Sequence, residues 1–391
     1  MRLGDCGKTN LHTYSDKEKW SLIRYLDTGS ITEGRIDEIQ TLYPGVDKIP
    51  SRARRKASVG DILFSTVRPN QKHYGIIEAG TENLLVSTGF TVVTVDTTIA
   101  DPYFIYYYLT QSSVIESLQA IAEQSTSTYP SIKPSDIEDI ELDLPELETQ
   151  KKIGSTLRML DRKIALNEKI NDNLEQQAQS YFQELFVDNA DPEWTTGTIS
   201  DLGTVVGGST PSKAKPEYYT ESGIAWITPK DLSNNKSKFV SHGENDITEL
   251  GLRNSSASIM PEGTVLFSSR APIGYIAIAA GEVTTNQGFK SVVPKPEIGT
   301  PFVYFFLKNT LPVIEGMASG STFKEVSGST MKNVPAVIPD AETLAKFSDF
   351  CAPIFAQQRI LEEQNQSLAT LRDNLLPKLM SGEIDVSAVQ L

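Results

Sequence analysis

Short apolar runs, rich in β-branched and aromatic residues and punctuated by Gly, Pro, Asn and Ser, fill two long stretches of the chain. DILFS (61–65), NLLVS (83–87) and FTVVTV (90–95) in the first, and TVLFS (264–268), YIAIAA (275–280) and SVVP (291–294) in the second, have the length and residue types of strands. YFIYYYLTQSSVIESLQAIAE (103–123) has the length and apolar spacing of a helix. Each stretch predicts an α+β unit with a mixed sheet. Between and after them the pattern changes. Ile153, Leu157, Leu160, Ile164, Asn167, Asn171, Leu174, Ala178, Tyr181 and Leu185 alternate steps of four and three, which is a heptad seam. The same seam returns 194 residues later as Phe347, Cys351, Ile354, Gln358, Leu361, Asn365, Leu368, Arg372, Leu375 and Leu379. Neither helix is apolar all round, so each needs a partner, and an antiparallel coiled coil of the two is expected.

A seam of about 40 residues runs roughly 60 Å, longer than a small domain needs. Asn171 and Asn365 share one register position, and a buried Asn there costs stability while fixing register. Pro353 is expected to kink the second helix or mark its start, and Pro377 with Gly382 to end it. The resulting division is residues 1–145, a helix over 146–188, residues 189–340, and a final helical segment over 341–391.

The two stretches are copies of one unit. GDILFSTVRP (60–69) is echoed by GTVLFSSRAP (263–272), TGF (88–90) by QGF (287–289), YFIYYYL (103–109) by PFVYFFL (301–307), and VIE (114–116) by VIE (313–315). The matches stay in order while their separation drifts between 203 and 198 residues, as loop insertions produce. Trp20 is expected to match Trp226. Duplication therefore sets the organisation of the whole chain.

Composition narrows the function. Apolar content of 39% with 22% charged residues is that of a globular protein, and 391 residues suffice for two domains. No apolar run is long enough to span a bilayer and no secretory signal is visible, so a cytoplasmic home without membrane contact is expected. Cys6 and Cys351 suggest no disulfide framework, and three histidines give no metal-ligand spacing. There is no phosphate-binding loop and no nucleophile elbow. DPYF (101–104) is similar to the Asp-Pro-Pro-Tyr loop of amino-methyltransferases but lacks the second proline, and reads better as a helix start. No catalytic or metal site is expected in this chain.

What remains is a binding signature. The net charge of −14 opposes indiscriminate coating of nucleic acid but not local contact, because screening limits a charge's reach to roughly 10 Å. Residues 51–75 gather Arg54, Arg55, Lys56, Arg68 and Lys72, whereas acid concentrates elsewhere, as in DIEDIELDLPELE (136–148). In the second copy GGSTPSKAKPEYY (207–219) presents Thr210, Ser212, Lys213 and Lys215 on a flexible loop. Phosphates take Lys, Arg and hydroxyl donors, and base edges take Arg, Lys, Asn and Gln. Arg68 and Arg270, both just after the shared strand, are the foremost candidates, with Gln287, Lys290, Thr322 and Lys324 beside them. The alternative for each is an ordinary solvated loop.

GGSTPSKAKPEYYTESGIAWITPKDL (207–232), LFSSRAPIG (266–274), NQGFK (286–290) and LRDNLLPKLMSGEI (371–384) together resemble the specificity subunit of type I restriction–modification systems, over essentially the whole chain. The first copy has a shorter front and no GGSTPS loop. The resemblance implies a non-catalytic subunit in which two target-recognition domains each read half of a split, asymmetric site in double-stranded DNA. The helices would set the gap between half-sites and dock two methyltransferase subunits, with restriction subunits joining. S-adenosylmethionine, ATP and Mg would belong to those partners, and none to this chain. The alternatives are a related modification complex without a translocase, and a coiled-coil scaffold with no DNA role.

Overall fold

The computed structural model describes residues 1–125, 129–320 and 324–386, with the side chain of Asp16 not described. The chain divides into two compact units: unit 1 holds residues 1–164 and 367–391, and unit 2 holds 165–366. Each unit therefore combines one repeat with pieces of both long helices.

In unit 1 a four-stranded antiparallel sheet runs in the order Gly7–Thr9, Phe90–Val95, Ile62–Ser65, Tyr74–Ile76. A second sheet runs Gln40–Leu42, Ile23–Leu26, Leu84–Ser87, Ala53–Lys56, with a parallel pairing between its middle strands. In unit 2 the strands Gly203–Gly207, Lys290–Pro294, Val265–Ser269 and Ile273–Ala279 reproduce the first sheet in order and direction, and Phe239–Val240 adds a parallel edge. The duplication extends to single hydrogen bonds. Gly60 N–H donates to Ile77 O at 2.9 Å and Ile77 N–H to Asp61 O at 3.0 Å; Gly263 donates to Ala279 O and Ala279 to Thr264 O, both at 2.9 Å. Both glycines turn the chain with positive φ, +89° and +83°.

The same pairing corrects one expected match. Tyr25 faces Leu85 and Leu26 faces Val86, while Trp226 faces Thr284 and Ile227 faces Thr285, so Tyr25 occupies the place of Trp226. Trp20 instead packs on Tyr14, ring centroids 4.7 Å apart. The aromatic likeness lay five residues out of register.

Asp101 caps a helix over Pro102–Thr110 by accepting from Phe104 N–H at 2.9 Å, as a helix start should. The predicted single helix is broken at Gln111, and Ser112–Glu123 continues as a second. Its counterpart, Thr300–Met317, runs unbroken through Pro312.

The long helices span Leu147–Gln183, followed by a π-helical turn over Glu184–Asp188, and Ala341–Met380. Pro353 marks no start, because the helix is already three turns old there; Pro377 also lies inside it, and Gly382 (φ +73°) follows the end. Every seam position is buried or half-buried. In unit 1 Ile153 and Leu157 join Leu375, Leu376 and Leu379 around Phe104 and Tyr107. In unit 2 Leu174, Ala178 and Phe182 join Phe347, Cys351 and Ile354 around Phe302 and Phe305. The pairing is antiparallel, since Asn167 reaches Gln364 and Asn365 (both 2.8 Å) while Asn171 reaches back to Gln358 O at 3.4 Å. Asn167, fully buried, is the polar residue at the centre of this contact.

A Cβ on Gly60 would meet nothing within 4 Å, whereas one on Gly263 would lie 2.9 Å from Thr300 Oγ1. Gly60→Ala is therefore expected to cost about 1–2 kcal/mol from the left-handed backbone alone, and Gly60→Asn less. Gly263→Ala costs more than either, and urea titrations of the three variants check this order.

Candidate nucleic-acid interface

Both shared strands end in the same anchored turn. Thr66 donates through N–H and Oγ1 to Gly89 O at 2.8 and 2.9 Å; Ser269 donates through N–H and Oγ to Gly288 O at 2.7 and 3.1 Å. One residue later Val67 bridges to Ser131, and Arg270 bridges to Glu325. Arg270 therefore stands where unit 1 has Val67, and Arg68 stands where unit 2 has Ala271. Arg68 and Ala271 share a left-handed backbone, φ +48° and +52°. The two arginines are neighbours in the alignment but not equivalents, so the repeats present their cations from different positions of one turn.

In unit 1 Arg68 is exposed, with its guanidinium 5.4 Å from the centroid of the Tyr129 ring and its N–H fixed to Pro130 O at 3.0 Å. It borders a shallow cavity of about 330 Å³ lined by Asn70, Gln71, Gln119 and Pro130. The other candidate cations of this unit are engaged. Lys72 pairs with Glu33, and Lys56 pairs with Glu18 while lying 5.2 Å from the Trp20 ring centroid. The hydrogen bond from Lys56 pulls the Glu18 carboxyl below its usual range. Arg55 Nη2 donates to Thr88 O at 3.5 Å, its Nε is buried without a partner, and burial lowers its pKa. Arg54 is half-buried, and its carbonyl accepts from Tyr14 N–H at 2.7 Å.

In unit 2 the structure brings four candidates together. Thr210 Oγ1 hydrogen-bonds the Gln287 side chain, Lys290 Nζ donates to Gln287 O at 3.4 Å, and Glu325 lies 3.8 Å from Lys290 and 3.5 Å from Arg270. Burial lowers the Lys290 pKa, and Glu325 opposes that shift. Glu325, missed in the sequence, is the carboxylate that holds both cations. Ser212, Lys213 and Lys324 are exposed, and Lys215 lies 3.5 Å from Glu217. Thr322 lies outside the described residues.

The loop bearing Thr210 is pinned at both ends. Trp226 Nε1 donates to Ser209 O at 3.0 Å and the Tyr219 hydroxyl to Pro211 O at 2.6 Å. Gly208 packs so closely that a Cβ would lie 2.0 Å from Asn286 O. Among the described residues no group of three or more His, Cys, Asp or Glu is placed to hold a metal, and no helix is long and apolar enough to cross a membrane.

Two copies of one scaffold that carry polar, cation-bearing turns define a duplicated recognition protein. The family model for the type I restriction modification DNA specificity domain matches residues 53–176 and again 192–371, and the chain belongs to that family. The HindI specificity subunit of Haemophilus influenzae is 25% identical, with 98% of each chain covered. The MjaIX specificity subunit of Methanocaldococcus jannaschii is 39% identical over 47% of this chain and 45% of its own. The solved S subunit of the type I restriction-modification system of M. genitalium, 17% identical, superposes with a TM-score of 0.58 over 97% of this chain and 95% of its own, which supports the fold.

Gly208→Ala is expected to lift the 208–219 loop off Asn286 at a cost of about 1–3 kcal/mol. Amide exchange should rise across that loop and not in the Val265–Ser269 strand.

Proposed function

We propose that this chain is the DNA-reading subunit of a type I restriction–modification complex, with unit 1 and unit 2 each reading one half of a split, non-palindromic site. The observation that carries this reading is a shared strand and turn fitted with different side chains: Val67-Arg68-Pro69 in one copy, Arg270-Ala271-Pro272 in the other. A common frame gives both readers one docking geometry, and different side chains give them different base preferences. In unit 1 the reading surface is Arg68 with Arg54, Arg55, Lys56 and Lys72; in unit 2 it is Arg270, Gln287, Lys290, Thr210, Ser212, Lys213, Lys215 and Lys324.

The paired helices set the distance between half-sites and receive two methyltransferase subunits, with restriction subunits joining that assembly. Half-sites about one duplex turn apart, roughly 34 Å, suit helices of this length. The chemistry belongs to the partners, which supply S-adenosylmethionine, ATP and Mg in the cytoplasm. A scaffold without a DNA role leaves the two family matches unexplained.

Co-expression with the methyltransferase partner and mapping of methylated adenines should yield a two-part asymmetric motif. Exchanging residues 190–340 for those of a relative should alter one half only; alteration of both halves, or a single continuous motif, refutes the two-reader assignment. In the assembled complex Arg270→Ala should weaken binding by about 1–3 kcal/mol and relax preference at one base pair. Lys213→Ala should instead weaken all sequences alike and reduce the salt slope by about one.

A further inference from the structure

Within unit 2 one lysine is held away from water where the recognition sheet meets the two long helices. Lys238 immediately precedes the edge strand Phe239–Val240, which pairs with Ile278–Ala279, and is 7% exposed. Its Nζ lies 2.7 Å from Glu175 on the first long helix and 2.9 Å from Gln358 Oε1 on the second. The Phe355 ring centroid is 3.6 Å from it and that of Tyr304 4.5 Å. The backbone is gripped as well: the N–H groups of Lys238 and Phe239 donate to the two oxygens of Glu362 at 2.8 and 3.0 Å. Glu175 also accepts from the Tyr304 hydroxyl at 3.1 Å and pairs with Lys308. Burial pushes the Glu175 carboxyl up, but the two lysines more than reverse it, so it stays ionised.

Apolar packing supplies most of the adhesion here, with Phe182, Phe302, Phe305 and Phe347 in one cluster. That attraction is non-directional and tolerates small rotations of a sheet on a helix pair. A buried ion pair costs desolvation and adds little net stability, but its hydrogen bonds are satisfied in one geometry only. The corresponding junction in unit 1 is built differently: Asp161 pairs with Arg372 at 2.7 Å and accepts from the Tyr107 hydroxyl, linking the two long helices to a helix rather than to a strand.

We propose that Lys238, with Glu175, Gln358 and Glu362, is a positioning element that fixes the angle of the unit 2 sheet on its helices, and thereby makes the complex intolerant of a changed spacer. The proposal rests on the two-reader assignment above. Lys238 and its partners touch no DNA; they decide where the bases read by unit 2 must lie.

Lys238→Met keeps the aliphatic stem against Phe355 and leaves Glu175 neutralised by Lys308. Glu362→Gln keeps a side-chain oxygen for one of the two N–H groups. Each variant is assembled with the methyltransferase partner, and binding is measured on duplexes carrying the mapped site with its spacer intact, or shortened or lengthened by one base pair. Lys238→Met is expected to melt below the wild-type temperature, because Glu175 and Gln358 Oε1 each lose a buried partner, and to keep the same base preferences. Its discrimination between correct and altered spacers is expected to fall about threefold or more, with Glu362→Gln changing in the same direction. Unchanged spacer discrimination in Lys238→Met overturns the proposal, as does a change of base preference. If Lys238→Met fails to fold, unchanged discrimination in Glu362→Gln overturns it alone. A wild-type complex indifferent to spacer length overturns the two-reader assignment and the proposal with it.

Discussion

Everything in this protein depends on the pairing of two long helices that cannot bury their own apolar seams. The seam in Leu147–Gln183 and the seam in Ala341–Met380 are each too narrow to form a core and too apolar to face water. Paired antiparallel, they become a wall of both cores: Ile153 and Leu157 close one with Leu376 and Leu379, and Ala178 and Phe182 close the other with Phe347 and Cys351. Each recognition sheet is then built on a platform drawn from two distant parts of the sequence. The polar interruptions at Asn167, Asn171, Gln358 and Asn365 bond to one another, which favours the one register in which they meet.

The features legible in the sequence were those set by local chemistry. A left-handed turn demands Gly60 and Gly263, a sheet interior demands the apolar strands that follow, and a heptad announces its partner. Those constraints act within a few residues, so the duplication and the seam could be read directly. Register across loops could not. Trp20 and Trp226 look alike, yet Tyr25 fills the site, because a shorter front moves the aromatic residue along the chain. Arg68 and Arg270, both read as following the shared strand, stand one position apart on the shared turn. Pro353 marks no helix start, because the penalty of an interior proline is weighed against burial, and here Cys351, Ile354 and Phe355 are all buried around it. Glu325 escaped notice because a lone acid beside a lysine carries no signal until the fold brings Arg270 and Lys290 to it.

The acidic total looks less odd once the ion pairs are placed. Lys56 with Glu18, Lys72 with Glu33 and Arg270 with Glu325 are partly exposed pairs on the candidate surfaces. Such pairs contribute little to stability.

The placement of Val386, Leu376 and Leu379 in the core of unit 1 has a consequence for how the protein is made. Domains usually complete themselves in the order of synthesis, the N-terminal one first. Here residues 165–366, all of unit 2, leave the ribosome before the segment that unit 1 needs to close its core. The unit that begins first finishes last, because the residues that complete its core beside Phe104 and Leu157 are the last of it to be made.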